Sequence, residues 1–225
     1  MLFTRQNAME NIRNRDGKRV FFLGKGDQLT NDARDWLRSQ RIEILSAEQA
    51  KPARWQLAGG GFCEEKPEHM THLNGQTLVP KTHPRIAFRG AMDMVEAELL
   101  LCLQETGENR LQQILDQARE LLRCDVLEEP VEEKPLCGLD QMQLRHRSHF
   151  PQKYYDQPHF MPSAQDKKTV LLLNKARCLV RWAELLAVAA FSDREGNPTR
   201  LDILQAMNRM SSMLYILMIE HKKQE

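Results

Sequence analysis

Two arginines and a glutamate stand out for their spacing. Arg177, Arg181 and Glu184 fall at i, i+4 and i+7 within KTVLLLNKARCLVRWAELLAVAAF, residues 168–191. At about 100° per residue they share one narrow stripe of a helix. Leu172, Leu179, Ala183, Leu186 and Ala190 take the opposite side. Charges on so apolar a helix need partners, because an unpaired buried charge is very costly. Two chemistries fit. Arg181 and Glu184, three residues apart, can pair on a wet edge, which is the simpler reading of the helix alone. Alternatively the guanidinium groups face a polyphosphate and form an anion site.

Other stretches also carry reactive or binding groups. Lys66–Arg89 is locally basic through Lys66, Lys81, Arg85 and Arg89, with Thr71, His72, Thr82 and His83 interspersed. Pro67, Gly75, Pro80 and Pro84 predict a loop with turns rather than a helix. Such a loop can wrap a phosphate chain with backbone N–H groups and a few cations. Asp93 follows Arg89 by four residues, which permits a local ion pair. Cys63, His69 and His72 make a C-x5-H-x2-H cluster that matches no standard zinc spacing and lacks a fourth ligand. Gly24-Lys25-Gly26-Asp27 reads as a plain turn, since a GxG without its third glycine is a weak nucleotide signal. Residues 125–166 concentrate His146, His149, His159, Phe150, Phe160, Tyr154 and Tyr155 between five prolines, a composition against which a flat apolar ligand could sit. Asn208, Ser211 or Ser212, and Tyr215 form an inward polar stripe whose members can satisfy one another.

The elements that must position these groups are mostly helical. Lys168–Phe191 has no Gly or Pro and is apolar nearly all round, predicting one long helix buried in a bundle. Gly90–Glu105 places Met92, Val95, Leu99, Leu100 and Leu103 on one face. Glu108–Cys124 does the same with Leu111, Ile114, Leu115, Ala118, Leu121 and Leu122, and Gly107 separates the two. A short helix is expected over Leu139–His149. A last one starts at Pro198, with Thr199 and Asp202 as a capping box, and runs apolar through Leu201–Ile219. At the other end, residues 1–18 read as a loose tail. Arg19–Leu23 and Ile42–Leu45 read as strands around a helix capped by Thr30 or Asn31 and running through Arg38, a β-α-β unit too small to bury much alone. Pro52 and Gly59-Gly60-Gly61 mark residues 46–65 as linker-like. The expected organisation is a small α/β module over 1–50, a linker over 51–65 and a helical domain over 66–225.

Composition narrows the function. With 32 basic and 31 acidic residues and a net charge of +1, the chain lacks the basic excess that general nucleic-acid binding needs. Five cysteines, at 63, 102, 124, 137 and 178, show no CxxC pairing, as expected of free thiols in a reducing cytosol. The N-terminus is too polar for a signal peptide, and Met210–Ile219 is too short to span a bilayer. No membrane and no nucleic-acid partner is expected.

Several of these pieces occur together in one known order. V-x-K-x-x-P-R and G-x-x-D (Val79, Lys81, Pro84, Arg85, Gly90, Asp93) precede R-x-x-x-R-x-A-E (Arg177, Arg181, Ala183, Glu184) and N-R-x-S (Asn208, Arg209, Ser211). The set resembles the cobalamin adenosyltransferases. KPEHMTHL, Ser148-His149, Tyr154-x-Asp156-x-x-His159-x-x-Pro162 and DILQAMNRMSS are similar to the ethanolamine-utilisation branch of that family, as is LTNDARDWLRSQRIEI near the N-terminus.

The resemblance implies a mainly α fold, a five-helix bundle, here with a small N-terminal α/β extension. It implies transfer of the 5′-deoxyadenosyl group of ATP to Co(I) of cobalamin, with ATP, Mg2+ and cobalamin bound and triphosphate released. Carried onto this chain, it makes Arg177, Asp93 and Glu184 catalytic, with Asp93 pairing Arg177 across a subunit boundary. Lys66, Thr71, His72, Lys81, Arg85, Arg177, Arg181, Glu184 and Asn208 would bind ATP. Phe88, Tyr154, His159, Phe160, Arg209 and Ser212 would bind cobalamin, with either His159 or Phe160 facing the corrin. A homo-oligomer, with a trimer favoured, and a flavoprotein reductant are the implied partners. The implied location is the cytoplasm, with a bacterial microcompartment as an associated structure.

The chain also departs from the family. THLNGQT stands where the propanediol branch has a Gly-rich phosphate loop, Trp182 replaces a second family arginine, and Cys63 alone remains of a cysteine metal motif, so no structural zinc or iron is expected. From another functional class, a non-catalytic corrinoid-binding or scaffold protein of a metabolic compartment is the alternative.

Overall fold

The computed structural model describes residues 2–9, 12–15, 18–24, 26–46 and 55–223. The chain divides into two units, Met1–Trp55 with Phe62–Glu65, and Gln56–Gly61 with Lys66–Glu225.

In the first unit the N-terminus is structured rather than a loose tail. It forms β1 (Leu2–Phe3), α1 (Arg5–Met9) and β2 (Ile12–Arg15) ahead of β3 (Lys18–Leu23). The reason is that Phe3 and Ala8 are buried among Phe21, Leu29, Ala33, Leu37 and Ile42, with Phe3 edge-on to Phe21 at 5.1 Å. β4 (Gln28–Leu29) pairs in parallel with β1. The expected β-α-β unit is present: α2 (Asn31–Ser39) joins β3 to β5 (Glu43–Ser46), which lies parallel to β3. Thr30 caps α2, its hydroxyl oxygen accepting from the Ala33 N–H at 3.2 Å. Asp27 closes the turn after β3 by accepting from the Gly24 N–H, while Lys25 lies outside the described residues.

The stretch read as a linker holds two short strands, β6 (Trp55–Leu57) and β7 (Phe62–Cys63). Its remaining portion, residues 47–54 with Pro52, lies outside the described residues. The stretch read as a loop is a hairpin, β8 (Met70–Asn74) antiparallel to β9 (Thr77–Pro80), turning at Gly75 with φ 42°. Gln56 and Leu57 of β6 pair in parallel with β9, and Leu78 and Val79 of β9 are buried.

The bundle is built from α3 (Pro84–Thr106), α4 (Arg110–Leu127), α5 (Gln141–His149), α7 (Lys168–Ala190) and α8 (Leu201–Lys223), with one short helix, α6 (Pro151–Tyr155), between α5 and α7. α3 starts at Pro84, not Gly90. His83 caps it through Nδ1, which accepts from the Arg85 N–H at 3.2 Å, and proline suits the first helical position. Gly107 ends it in the left-handed region at φ 64°, which favours glycine. α5 opens with a capping box between Asp140 and Gln143. The box expected at Thr199 and Asp202 does not form. The Thr199 hydroxyl donates instead to the Phe191 carbonyl, and Asp202 accepts from the Val131 N–H and Arg200. α3 and α8 pack along α7, sealing Val95, Leu99, Leu173, Val180, Ala187, Met207, Met210 and Leu214 into one core.

α7 is buried on one side only. Trp182 and Leu185 remain 53% and 63% exposed, together with Val188, and neighbouring α3 exposes Met94, Leu100 and Leu101. Lys175 pairs with Glu98 and Lys168 with Glu105, which fixes α3 and α7 as antiparallel neighbours.

Candidate functional site

The α7–α8 face brings the expected residues together. Arg177 is half-buried: its Nη2 donates to Asn174 Oδ1 at 3.1 Å, and its Nε is buried without a partner. The guanidinium lies 5.8 Å from the ring centre of Tyr215, within the range of a cation–π contact. Arg181 is exposed, one turn further on. Glu184 accepts from Asn208 Nδ2 at 3.2 Å, which ties α7 to α8. The Arg181–Glu184 ion pair does not form. Among the described residues none of Arg177, Arg181 and Glu184 has a salt-bridge partner, whereas Arg85, Arg89, Arg110, Arg119, Arg123 and Arg200 are all paired. The serines of the polar stripe, Ser211 and Ser212, each donate to the Asn208 carbonyl at 3.0 Å.

A second group borders this face. His159 and Phe160, in the segment leading to α7, both stack on Tyr215, with ring centres at 5.8 and 6.1 Å. His159 Nδ1 lies 2.9 Å from the Tyr215 hydroxyl, and its Nε2 lies 3.1 Å from the His149 carbonyl. His149, Phe150, Pro151, Lys153, Pro158 and His159 line an open, mostly apolar hollow of about 510 Å³. Tyr154 is exposed, its ring 5.7 Å from the Arg147 guanidinium. Arg209 reaches the Gln141 carbonyl at 3.4 Å and has a buried, unpartnered Nε. Burial, followed by the Arg145 charge, lowers the pKa of Arg209, while Glu184 opposes them. It borders a cleft of about 140 Å³ shared with Gln117, Leu144 and Gln205.

The hairpin region carries a separate set of the expected residues. Lys66 and Lys81 are exposed, and Thr71 and His72 are half-buried on β8. The Lys81 N–H donates to the His69 carbonyl at 2.8 Å. No group of three or more His, Cys, Asp or Glu gathers as a metal cage among the described residues.

The residues expected on α3 are placed differently. Arg85 is engaged by carboxylates, its Nε donating to Asp125 Oδ1 at 2.8 Å and its Nη1 to Glu128 at 3.2 Å. Arg89 pairs with Asp125 Oδ2 at 2.6 Å rather than with Asp93. The sequence reading missed Asp125, a fully buried carboxylate that holds both arginines. Asp93 is exposed, with no ion pair among the described residues. Phe88 was expected on the cobalamin side. It is fully buried and meets Phe191 edge-on at 5.5 Å, because an apolar ring on the inner side of α3 packs into the core.

Comparison with known proteins supplies the context for this geometry. The profile of the family described as cobalamin adenosyltransferase matches residues 62–221. The chain belongs to the cobalamin adenosyltransferase family. Among curated relatives of the family, the corrinoid adenosyltransferase EutT of Salmonella typhimurium strain LT2 is 37% identical over 218 residues, 85% of this chain and 82% of that protein. The protein of the same name from Escherichia coli K12 is 36% identical over 158 residues, 69% of this chain and 59% of its own length. Membership decides between enzyme and non-catalytic scaffold in favour of an adenosyltransferase enzyme of the ethanolamine-utilisation type. No helix among the described residues is long and apolar enough to cross a membrane.

Proposed function

We propose that this enzyme transfers the 5′-deoxyadenosyl group of ATP to Co(I) of reduced cobalamin and releases triphosphate. The Co(I) electron pair forms the bond to C5′. The C5′–O bond breaks, and its electrons leave on the triphosphate, so cobalt ends formally as Co(III). The nucleophile needs no deprotonation, so the protein's work is in-line positioning and stabilisation of charge on the leaving polyanion.

The observation that carries this reading is the state of Arg177. Its guanidinium is half-buried and, among the described residues, is partnered only by a neutral amide and an aromatic face and keeps one N–H unsatisfied. A cation held without a carboxylate is suited to a phosphate ligand. Arg181 adds a second, exposed cation. Lys66, Thr71, His72 and Lys81 of the hairpin region are proposed as further phosphate contacts. Arg85, already held by Asp125 and Glu128, shares Glu128 with Asn74 at the hairpin's turn and in this reading steadies the hairpin. Magnesium fits beside the Glu184–Asn208 pair, because it favours one or two hard oxygen ligands completed by phosphate and water. When bound there it would neutralise phosphate charge. The hollow edged by His149, Phe150 and His159 is the proposed corrin side, with Tyr154, Phe160, Arg209 and Ser212 proposed as further corrin contacts.

The exposed apolar surface of α3 and α7 supports a homo-oligomer, with a trimer favoured. Asp93 is exposed on α3, so it is available to Arg177 of a neighbouring copy. A flavoprotein as electron donor and a cytoplasmic location beside a metabolic compartment complete the proposal.

The test is the absorbance of cobalamin under a strong reductant on addition of MgATP. An alkylcobalamin spectrum is expected with the wild-type protein and lost with Arg177→Ala. Failure of the wild-type protein to produce that spectrum would overturn the proposal.

A further inference from the structure

Tyr215 touches groups from both proposed substrate sides. On one side its ring lies 5.8 Å from the Arg177 guanidinium. On the other its hydroxyl is 2.9 Å from His159 Nδ1, and its ring stacks on His159 and Phe160. The hydrogen-bond directions are fixed by chemistry. The His149 carbonyl can only accept, so His159 Nε2 carries a proton, and in the neutral ring Nδ1 is the acceptor. The Tyr215 hydroxyl therefore donates to His159, which leaves its oxygen and ring richer in electron density toward Arg177. Both ring nitrogens of His159 are committed, so the imidazole is pinned by α8 on one side and by the end of α5 on the other.

Resting on the function proposed above, we infer that Tyr215 is a positioning residue that couples the nucleotide side to the corrin side. A nucleotide drawing on Arg177 changes the cation over the Tyr215 ring. A corrin pressing on His159 and Phe160 acts on the same ring from its other edge. The ring has one place to sit between them, so occupancy of one side favours one geometry of the other. By linkage the effect is reciprocal.

Equilibrium titration of the full-length protein with cob(II)alamin, without reductant and with or without MgATP, reads this coupling apart from turnover. In the wild type, MgATP should tighten cob(II)alamin binding roughly fivefold or more, the low end of ordinary couplings. Tyr215→Phe keeps the ring over Arg177 but loses the hydroxyl, so the ratio should fall toward one while MgATP affinity alone changes less than about twofold. His159→Leu should lose the ratio as well. His159→Asn, which offers an amide oxygen in place of Nδ1, should keep most of it. These two variants decide the matter if Tyr215→Phe does not fold. A wild-type ratio of one, or an unchanged ratio in Tyr215→Phe or His159→Leu, overturns the coupling while leaving the proposed reaction intact. A wild type that binds neither ligand and forms no alkylcobalamin overturns both.

Discussion

Asn208 on α8 donates to Glu184 on α7 at 3.2 Å, so the carboxylate on the Arg177–Arg181 stripe is held, among the described residues, by an amide rather than by a cation. That arrangement keeps its charge available. Glu184→Gln preserves size and the bond to Asn208 but removes the charge. It should lower kcat/KM on the order of 100-fold, as loss of an electrostatic contact to a reacting group does, while the melting temperature stays nearly constant. Steady-state kinetics at varied MgATP would check this.

Arg177 and Arg181 should differ. Arg177 is half-buried and ordered by Asn174 and Tyr215, whereas Arg181 is exposed. Arg177→Lys should fail to restore activity, because an ammonium lacks the planar fork that grips phosphate oxygens. Arg181→Lys should retain most of it. Equal losses in the two lysine variants, measured by alkylcobalamin formation, would count against the assignment of the main phosphate contact to Arg177.

Asp125 is a matter of stability. It is fully buried and accepts from Arg85 and Arg89 at 2.8 and 2.6 Å. Asp125→Ala should destabilise the bundle by about 3–5 kcal/mol, because two guanidinium groups lose their shared partner. Urea unfolding followed by circular dichroism gives the value.

Acid should weaken one end of the bundle. Arg110, and then His221 and the Arg110 N–H, hold Glu108 at about 2 against an ordinary 4.5. A depressed carboxylate stabilises the fold above its unfolded value. That contribution is lost as pH falls from about 4.5 towards 2. Glu108→Gln should therefore flatten the melting temperature over that window. An identical acid profile in the variant would contradict it.

The outer face of α7 should govern assembly. Trp182→Glu and Leu185→Glu place charge on side chains that are exposed in the single chain, so the helix content should persist while the assembly falls to the 26.2 kDa chain. Sedimentation would show it. Bulky alkylation of the exposed Cys178 on the same helix should act likewise, whereas Cys102, raised to about 12 by burial, should resist the reagent.

What could be read in the sequence follows its periodicity. α4 and α7 came from apolar spacing, and the Arg177–Glu184 stripe from the same geometry, because a helix fixes which side chains share a face. The β8–β9 hairpin is hidden because the surrounding prolines mask an Asn74-Gly75 turn, and Pro84, a helix breaker by type, stands at the first position of α3. Asp125 could not be found by pattern, since its partners lie 36 and 40 residues earlier in the chain. The burial of Phe88 was not legible, because an aromatic beside arginines looks the same in sequence whether it packs inward or meets a ligand. Tyr215 was visible only as one polar position on a stripe; its role depends on the segment bearing His159, which has no periodicity to read.

Arg89, anchored on Asp125, also donates to the main-chain oxygen of His72 at 3.3 Å. A tether that seizes a carbonyl is indifferent to the side chain at that position. The side chains at the tip and lining of this hairpin, THLNGQT, can therefore change while the ribbon stays moored to the helices beneath it.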